Sequence, residues 1–211
     1  MYIKYHGHAC FEIGNGKRVV FDPHDGKSIG LPVPNPTADL VFITHEHFDH
    51  NATSVVRGNF KIIRKPESGE VDGIRYDSIT EYHDNDMGRQ RGTVNIYKVY
   101  VENLSFVHVG DLGHMPDEKT VKFMKNADFI FLPVGSVYTI NGDQAAEVVG
   151  LTNPRVAVPM HYSTGKSKLG LESYDRFLKH FNKDQVKFVG KEKKFSKEEI
   201  NSNKTEIWVF E

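Results

Sequence analysis

Four side chains that bind metals well lie close together in the stretch ITHEHFDHN, residues 43–51: His45, His47, Asp49 and His50. The apolar run LVFIT leads directly into them, so a buried strand is predicted to end at this point. In an extended turn after that strand, His45 and His47 are two apart and their side chains share one side. Two interpretations fit this segment, a metal site and a histidine-rich polar turn. Further ligands elsewhere in the chain must decide between them.

The segment DHNATSVV, which begins with Asp49 and His50, is predicted to be a helix that turns these two side chains toward a neighbouring position. Such spacing suits two metal ions about 3.5–4 Å apart better than one ion. Each ion then needs another imidazole, and a carboxylate should lie between them. The candidates are His83 in EYHDNDMG, Asp111 in HVGDLGH and His161 in PMHYSTG. Imidazole and carboxylate without thiolate suit zinc, manganese or iron.

Short apolar runs rich in β-branched and aromatic residues recur along the chain and predict strands. They are YIKY, ACFEI, RVVF, LVFIT, FKIIR, VNIYKVYV, LSFVHV, FIFLPV, VAVPM, VKFVG and EIWVF. The glycines of GNG, residues 14–16, predict a hairpin turn between two of these strands. Asp22, His45, Asp111 and His161 each follow a predicted strand, where a rigid sheet holds accessible loops.

Three amphipathic segments predict helices in the second half of the chain: MPDEKTVKFMKN, NGDQAAEVVGL and LESYDRFLKHF. Pro116, Asp143 and Glu172 are expected in their first turns. The sequence contains no repeat, low-complexity tract or evident linker. The pattern predicts one α/β domain over residues 1–211, with sheets inside and helices outside.

The charge balance is close to neutral, with 27 Lys and Arg against 28 Asp and Glu, so nucleic acid and anionic membranes are not the expected partners. The basic stretch KFVGKEKKFSKEE is interrupted by Glu and is interpreted as a solvated face. Cys10 is the only cysteine, which excludes an intrachain disulfide. No apolar stretch has the length of a signal peptide or of a membrane span, and a cytoplasmic location is expected.

The segment THEHFDHN resembles the H-x-H-x-D-H motif of the metallo-β-lactamase superfamily. The order Asp22, the histidine motif, His83, Asp111 and His161 is similar to the motif series of that family along nearly the whole chain. The segments HVGDLGH, LPVGSVYTINGDQA and VPMHY resemble its lactonase-like, metal-dependent hydrolase branch, to which L-ascorbate-6-phosphate lactonase belongs. The resemblance implies a four-layer αββα sandwich with two divalent metal ions at the sheet edge.

The resemblance also implies a role for each matching residue. One ion would be held by His45, His47 and His83, and the other by Asp49, His50 and His161. Asp111 would bridge the two ions, and Asp22 would support the histidine loop from behind the ligands. Zinc is the expected metal, with manganese or iron as alternatives.

Hydrolysis is the expected chemistry, because two metals that share a bridging oxygen lower the pKa of water. Asp49 is expected to orient the nucleophile or accept its proton. His114 or Tyr162 is a candidate donor to the oxyanion or leaving group. His8 and His114 are both candidates for lining the pocket mouth or binding a substrate oxygen. The remaining histidines are interpreted as core (His108) or ordinary polar residues (His6, His24 and His180), and Cys10 as packed within its strand.

Two glycine-rich loops, residues 24–32 and 163–170, are expected to flank the site. Lys27, Lys166 and Lys168 give them positive charge, which favours a small anionic substrate unless these lysines are merely solvated. A hydrolase of a small ester, lactone or phosphodiester is favoured. A nuclease of the same superfamily and a non-hydrolytic metal-binding protein are the alternatives, although the broad basic and aromatic surface of a nuclease is missing. Self-association is left open.

Overall fold

Two β-sheets face each other in the computed structural model, which describes residues 1–165, 167–200 and 204–211. The first sheet has the order β13-β1-β2-β3-β4-β5 and contains β1 (Tyr2–Gly7), β2 (Cys10–Asn15), β3 (Lys17–Phe21), β4 (Leu40–Phe42), β5 (Lys61–Ile63) and β13 (Glu192–Lys194). The second has the order β12-β14-β11-β10-β9-β8-β7-β6 and contains β6 (Gly69–Val71), β7 (Ile74–Tyr82), β8 (Thr93–Val101), β9 (Leu104–His108), β10 (Phe129–Pro133), β11 (Val156–Met160), β12 (Val186–Phe188) and β14 (Glu206–Val209). The α-helices are α1 (Glu118–Met124), α2 (Gly142–Thr152) and α3 (Asp175–Leu178).

The facing sides of the two sheets share one apolar core. Alternation along the strands sends Phe11 and Phe21 into this core, with Phe106 and Phe129 of the second sheet. Burying each of these rings contributes about 1.5–3 kcal/mol relative to leaving it in water. The opposite face of the first sheet holds a smaller apolar cluster that includes Cys10, so the prediction that this thiol is packed within its strand is confirmed.

The helices α1 and α2 connect the parallel strands β9, β10 and β11 and therefore cover the outer face of the second sheet. In the described part of the connections β3–β4 and β4–β5, the helical content is one 3₁₀ turn, Thr53–Val55. The mixed α/β class and the two packed sheets are thus confirmed, with few helices around them. In the described ranges no helix is long and apolar enough to cross a membrane. The single domain and the cytoplasmic location stay predictions.

Each predicted apolar run contributes to a strand, and the GNG hairpin joins β2 to β3 with Gly16 at a φ of 97°. The sequence did not predict β6, β7 or β13. Strand β7 is the longest of these, and it was missed because its side chains are largely polar and half-buried or exposed. Its backbone is nevertheless fixed by pairing with β8 along its length.

The prediction of a helix beginning at Asp49 is wrong, because a local turn and a tertiary hydrogen bond take the backbone groups of this segment. The amide of His50 donates to His47 O at 3.0 Å, which closes a tight turn. The amide of Ala52 donates to Pro23 O at 2.8 Å and ties this segment to the loop after β3. The 3₁₀ turn at Thr53–Val55 follows instead.

The third predicted helix begins later than expected, at Asp175, so Glu172 is not in its first turn. Residue 172 is held by other segments of the chain. Its amide donates to Gly135 O, and its carbonyl accepts from the amide of Ser163, both at 2.9 Å. The other two predicted helices are confirmed as α1 and α2.

Replacing Asn141 with alanine should reduce the free energy of unfolding by about 1 kcal/mol. The Asn141 side chain accepts from the amides of Asp143 and Gln144, and Gln144 Oε1 accepts from the Asn141 amide, each at 3.0 Å. Urea unfolding followed by far-UV circular dichroism measures the change. Asn182→Ala, on an exposed loop position, is the control, and equal midpoints for the two variants would contradict the capping role.

Candidate metal centre

The predicted site residues lie at one edge of the sheets because their strands share a direction. Strands β3 and β4 are parallel, as are β9, β10 and β11, and β7 is antiparallel to β8, which is antiparallel to β9. Strands β7, β9, β10 and β11 therefore end at one edge of the second sheet, whereas β8 runs the opposite way, and β3 and β4 end at one edge of the first sheet. The β1–β2 turn joins them, since Phe11 at the start of β2 pairs with Phe21 at the end of β3. The residues that follow these strand ends are Asp22, His45, His83, Asp111 and His161.

One group of possible ligands consists of His45, His47 and His83, each with a ligand atom within 4.8 Å of the others. The ring of His83 lies 4.8 Å from that of His45 and 4.9 Å from that of His47. His45 and His83 are buried, whereas His47 is only partly covered. This group is therefore open to solvent on the His47 side.

A second group contains His8, Asp49, His50 and His161, with ligand atoms within the same 4.8 Å limit. All four residues are buried. The His8 ring lies 4.1 Å from that of His161 and 5.0 Å from that of His50. His8 Nε2 is 3.1 Å from Asp49 Oδ2. The structure thus adds His8 to the three residues that the sequence placed together.

Asp111 lies between the two groups. Its Oδ2 atom is 3.4 Å from His83 Nε2 in the first group, and 3.2 Å from His161 Nε2 and 3.3 Å from His50 Nε2 in the second. Burial alone would raise the pKa of Asp111, but the charges of the nearby His161 and His50 hold it well below its usual range. Asp111 is therefore an ionised carboxylate at the centre of the site.

Asp22 orients one histidine of each group from behind. Its carboxylate accepts from the Thr44 amide at 2.8 Å, from the Thr44 hydroxyl at 2.7 Å and from His50 Nδ1 at 2.9 Å. Because the Thr44 hydroxyl gives its proton to Asp22, it accepts from Nδ1 of His45, 2.9 Å away. Both histidines thus carry a proton on Nδ1, and Nε2 faces the centre of the site.

Several buried polar atoms at this edge have no hydrogen-bond partner. They are His45 Nε2, His50 Nε2, both ring nitrogens of His83, His161 Nδ1 and Asp111 Oδ1. An unpartnered buried polar atom costs about 1–3 kcal/mol, so such a concentration needs a bound group to explain it. The donors are imidazole and carboxylate with no thiolate, since Cys10 is packed elsewhere. This donor set fits divalent zinc, manganese or iron.

The backbone around the site is strained. Three residues that are not glycine have left-handed φ values: 58° for His8, 42° for Asp22 and 53° for His161. Each costs of order 1–3 kcal/mol, and such residues cluster where the structure holds a functional geometry. Close packing fixes two of the segments, because a Cβ at Gly113 would lie 2.2 Å from His83 C, and one at Gly135 would lie 2.0 Å from His161 O.

His114 lies outside both groups. Its Nε2 is 3.0 Å from Glu81 Oε2, and its Nδ1 is 2.8 Å from Met115 O. These contacts hold the ring beside β7, and a catalytic role for His114 stays a prediction. The Tyr162 hydroxyl donates its proton to Phe210 O, so this proton is already engaged within the fold.

The other histidines differ from one another in their surroundings. His108 is fully buried and stacks on Phe21 at 4.9 Å, which confirms it as a core residue. His180 is partly exposed and pairs with Asp143 at 2.7 Å. His24 is buried, with Nε2 3.2 Å from His6 O.

Sequence reasoning did not identify Thr44, Gly113 and Gly135 as parts of the site. No local signal marks the two glycines, since their role is to leave room for a distant segment of chain. Thr44 follows β4 and precedes the histidine motif, so its position beside Asp22 could have been found from the parallel pairing of β3 and β4.

A cavity of about 560 Å³ lies between the loops after β3 and β11 and beside the end of β1, and none of the proposed ligands lines it. Its walls include Tyr5, Leu31 and Tyr174, and also Gly7 and Tyr162, which are the sequence neighbours of His8 and His161. The two loops are joined by a hydrogen bond of 2.9 Å from the Lys168 amide to Ile29 O. Lys27 and Lys168 are exposed on them, and Lys166 lies outside the described residues.

Gly113→Ala should leave the protein folded but displace His83, because the new Cβ meets the backbone of residues 83 and 84 at 2.2–2.3 Å. We expect metal affinity to fall about 10-fold or more, as for other losses of ligand support. Titration of metal-free protein with zinc against a chromogenic chelator measures this. Gly150→Ala, in α2 with nothing within 4 Å of the added carbon, is the matched control. Equal metal affinity in both variants would contradict the role of Gly113 in positioning the His83 segment.

The metal-free protein should lose stability as the pH falls from 6.5 to 5. Burial lowers the pKa of His8 and His45 to about 3 and that of His24 to about 4, from 6.5. In this window the unfolded chain takes up protons that the folded chain does not, so the free energy of unfolding falls by up to about 1.4 kcal/mol per pH unit for each proton. The pKa of His50 is raised. Its contribution to the free energy of unfolding is therefore present below pH 6.5 and does not change within this pH window.

Urea midpoints of chelator-treated protein at pH 7, 6 and 5 measure this dependence. His24→Gln should reduce the slope by removing one of the three groups. A midpoint that rises between pH 7 and pH 5 would contradict the assignment of these histidines as buried and neutral.

Comparison with known proteins shows which family the chain belongs to. A family model described as a β-lactamase superfamily domain matches residues 2–161. A UPF0173 metal-dependent hydrolase of Thermoplasma acidophilum is 30% identical, with 77% of this chain and 83% of the relative covered. A crystal structure from Thermotoga maritima, of a protein classed as a Zn-dependent hydrolase of the metallo-β-lactamase superfamily, is 33% identical, has a TM-score of 0.82 and covers 99% of this chain and 97% of that chain.

A crystal structure of another protein classed as a metal-dependent hydrolase, from Parabacteroides distasonis, is 15% identical with a TM-score of 0.71 and covers 98% of this chain and 91% of that chain. At this identity the likeness concerns the fold. The lactonase-like branch within the superfamily stays a prediction. The family match covers most of the chain, and with the relatives it shows that this chain belongs to the β-lactamase superfamily and is a metal-dependent hydrolase.

Proposed function

We propose that this protein is a binuclear metallohydrolase that acts on a small ester, lactone or phosphodiester. His45, His47 and His83 hold one ion, Asp49, His50 and His161 hold the other, and Asp111 lies between them. The observation that carries the proposal is the position of Asp111 Oδ2, 3.2–3.4 Å from Nε2 atoms of both groups. A carboxylate shared by two imidazole groups matches a two-metal site better than a single ion.

Bound divalent ions supply Lewis acidity, which lowers the pKa of water toward neutrality. The protein contributes by orienting the ligand side chains before a metal binds. Asp22 fixes the proton on Nδ1 of His50 and, through Thr44, on Nδ1 of His45. Nε2 of each ring is thereby directed at a metal position, so the rings need no rotation on binding, although His50 must first release the Nε2 proton that its raised pKa retains.

Asp49 is the proposed proton acceptor for the attacking water. Burial would raise its pKa, but the hydrogen bond from His8 and the charge of His50 lower it well below the usual range. The carboxylate is therefore ionised and can accept a hydrogen bond from water. His47 is the least covered residue of the two groups, which supports approach of the substrate from that side.

The cavity between the loops after β3 and β11 supports a small organic substrate. Its walls are partly aromatic, with Tyr5, Tyr162 and Tyr174, and its volume of about 560 Å³ lies in the range of small-molecule sites. Lys27 and Lys168 are exposed on these two loops, and their charge favours an anionic substrate. The nearly equal numbers of acidic and basic residues favour a small molecule over nucleic acid.

Asp111→Ala should bind both metals more weakly and lose hydrolytic activity by at least about 100-fold, since both groups lose their shared carboxylate. Metal content by mass spectrometry, before and after incubation with zinc or manganese, should give about two equivalents in the wild type. Activity is measured on chromogenic esters, lactones and phosphodiesters. Asp86→Ala, an exposed carboxylate in the loop after His83, is the control.

Full activity of Asp111→Ala would contradict the bridging role. Less than about half an equivalent of metal in the wild type under every condition would contradict the binuclear site. Cleavage of single-stranded RNA with steep dependence on salt, and no turnover of small esters, would favour a nuclease instead.

A further inference from the structure

His8 lies in the turn between β1 and β2, far from the histidine motif in sequence but against it in space. Its side chain is 2% exposed, and its ring lies 4.1 Å from that of His161. The register between β1 and β2 shifts between Tyr5 and Gly7, and Gly7 and His8 follow with left-handed φ values of 101° and 58°. The irregular turn directs the imidazole into the site, as bulges beside active sites often do.

The environment of His8 Nε2 differs from that of the proposed ligands. His45 Nε2 and His83 Nε2 have no hydrogen-bond partner, as expected for atoms that can bind a metal. His8 Nε2 makes a hydrogen bond of 3.1 Å to Asp49 Oδ2. An ionised carboxylate only accepts, so His8 Nε2 carries the proton and has no lone pair for a metal.

The backbone of His8 holds a second residue of the same group. The amide of His161 donates to His8 O at 3.0 Å. His161 itself has the left-handed φ of 53°, so an external partner for its amide helps to fix this conformation. One residue therefore contacts Asp49 through its side chain and His161 through its main chain.

We propose that His8 is a positioning residue for the metal position formed by Asp49, His50 and His161. Its Nε2–H fixes the rotation of the Asp49 carboxylate, and its carbonyl fixes the His161 segment. The first group, His45, His47 and His83, has no contact with His8 of this kind. Loss of the His8 donor therefore affects one metal position and spares the other. This inference rests on the proposed binuclear site.

The test compares two variants whose side chains at position 8 are similar in size, of which only one has an N–H that can donate to Asp49. His8→Gln keeps an N–H that can reach Asp49, whereas His8→Leu has none, and neither side chain is β-branched at this left-handed position. Both variants keep the main-chain carbonyl that accepts from His161. His6→Gln is the control, since His6 lies two residues earlier, on β1, and pairs with Glu12 at 3.1 Å. Far-UV circular dichroism and urea midpoints establish that each variant is folded.

Metal-free proteins are titrated with Zn²⁺ in competition with a chromogenic chelator, which gives the affinity of each equivalent without an activity assay. In His8→Leu the affinity for one equivalent should fall about 10–100-fold, while the other equivalent is unchanged. His8→Gln should recover most of that loss, and His6→Gln should match the wild type. Recovery of the zinc affinity by the glutamine side chain is a result that a packing role for His8 would not produce.

Three outcomes would overturn the inference. Unchanged affinity in His8→Leu would show that the donor has no role. Equal loss in His8→Leu and His8→Gln would assign the effect to packing or to direct ligation. If His8→Leu does not fold, His8→Gln alone decides, because a full loss of one equivalent in that folded variant contradicts a donor role. In each case two equivalents in the wild type leave the proposed function intact, whereas a wild type without metal would remove both.

Discussion

One buried imidazole lies between two carboxylates, and the rest of the site is arranged around it. His50 Nδ1 is 2.9 Å from Asp22 Oδ2, and His50 Nε2 is 3.3 Å from Asp111 Oδ2. Burial would lower the pKa of His50, but the charges of Asp111 and Asp22 and the hydrogen bond to Asp22 raise it well above the usual value. A charged imidazole in the interior is tolerated only with partners of this kind. Through Asp22 it is connected to Thr44 and β4, and through Asp111 to the end of β9.

The strain at the site is sustained by the sheets. Left-handed residues and crowded glycines are costly, and they persist only where surrounding structure determines the conformation. Here the surrounding structure is the pair of sheets, whose aromatic residues fill a common core. The Asp22 amide, for example, is held by Phe42 O at 3.0 Å, as a continuation of the pairing of β3 with β4. The packed core therefore stabilises the strained backbone conformations at the candidate metal centre.

Much of the fold and part of the site could be predicted from sequence, where the determining interactions are local. Alternating and continuous apolar runs predict strands, and the end of β4 predicts where His45 lies. The segment after Asp49 was wrongly predicted as a helix because the decisive hydrogen bond, from the Ala52 amide to Pro23 O, comes from a distant loop. Strand β7 was missed because its polar side chains carry no apolar pattern. The position of His8 could not be predicted either, since its bond to Asp49 spans 41 residues and depends on an irregular turn.

The protonation of the buried groups explains why this edge should attract cations. Asp22, Asp49 and Asp111 are all held ionised by their surroundings, and His50 is held protonated. His8 and His45 are held neutral by burial. Among these groups three negative charges thus face one positive charge, in a region where charges are poorly solvated. Divalent ions would supply the missing positive charge and release the proton of His50 Nε2, so binding is coupled to proton loss. The same carboxylates that make the metal-free site costly therefore make the loaded site stable.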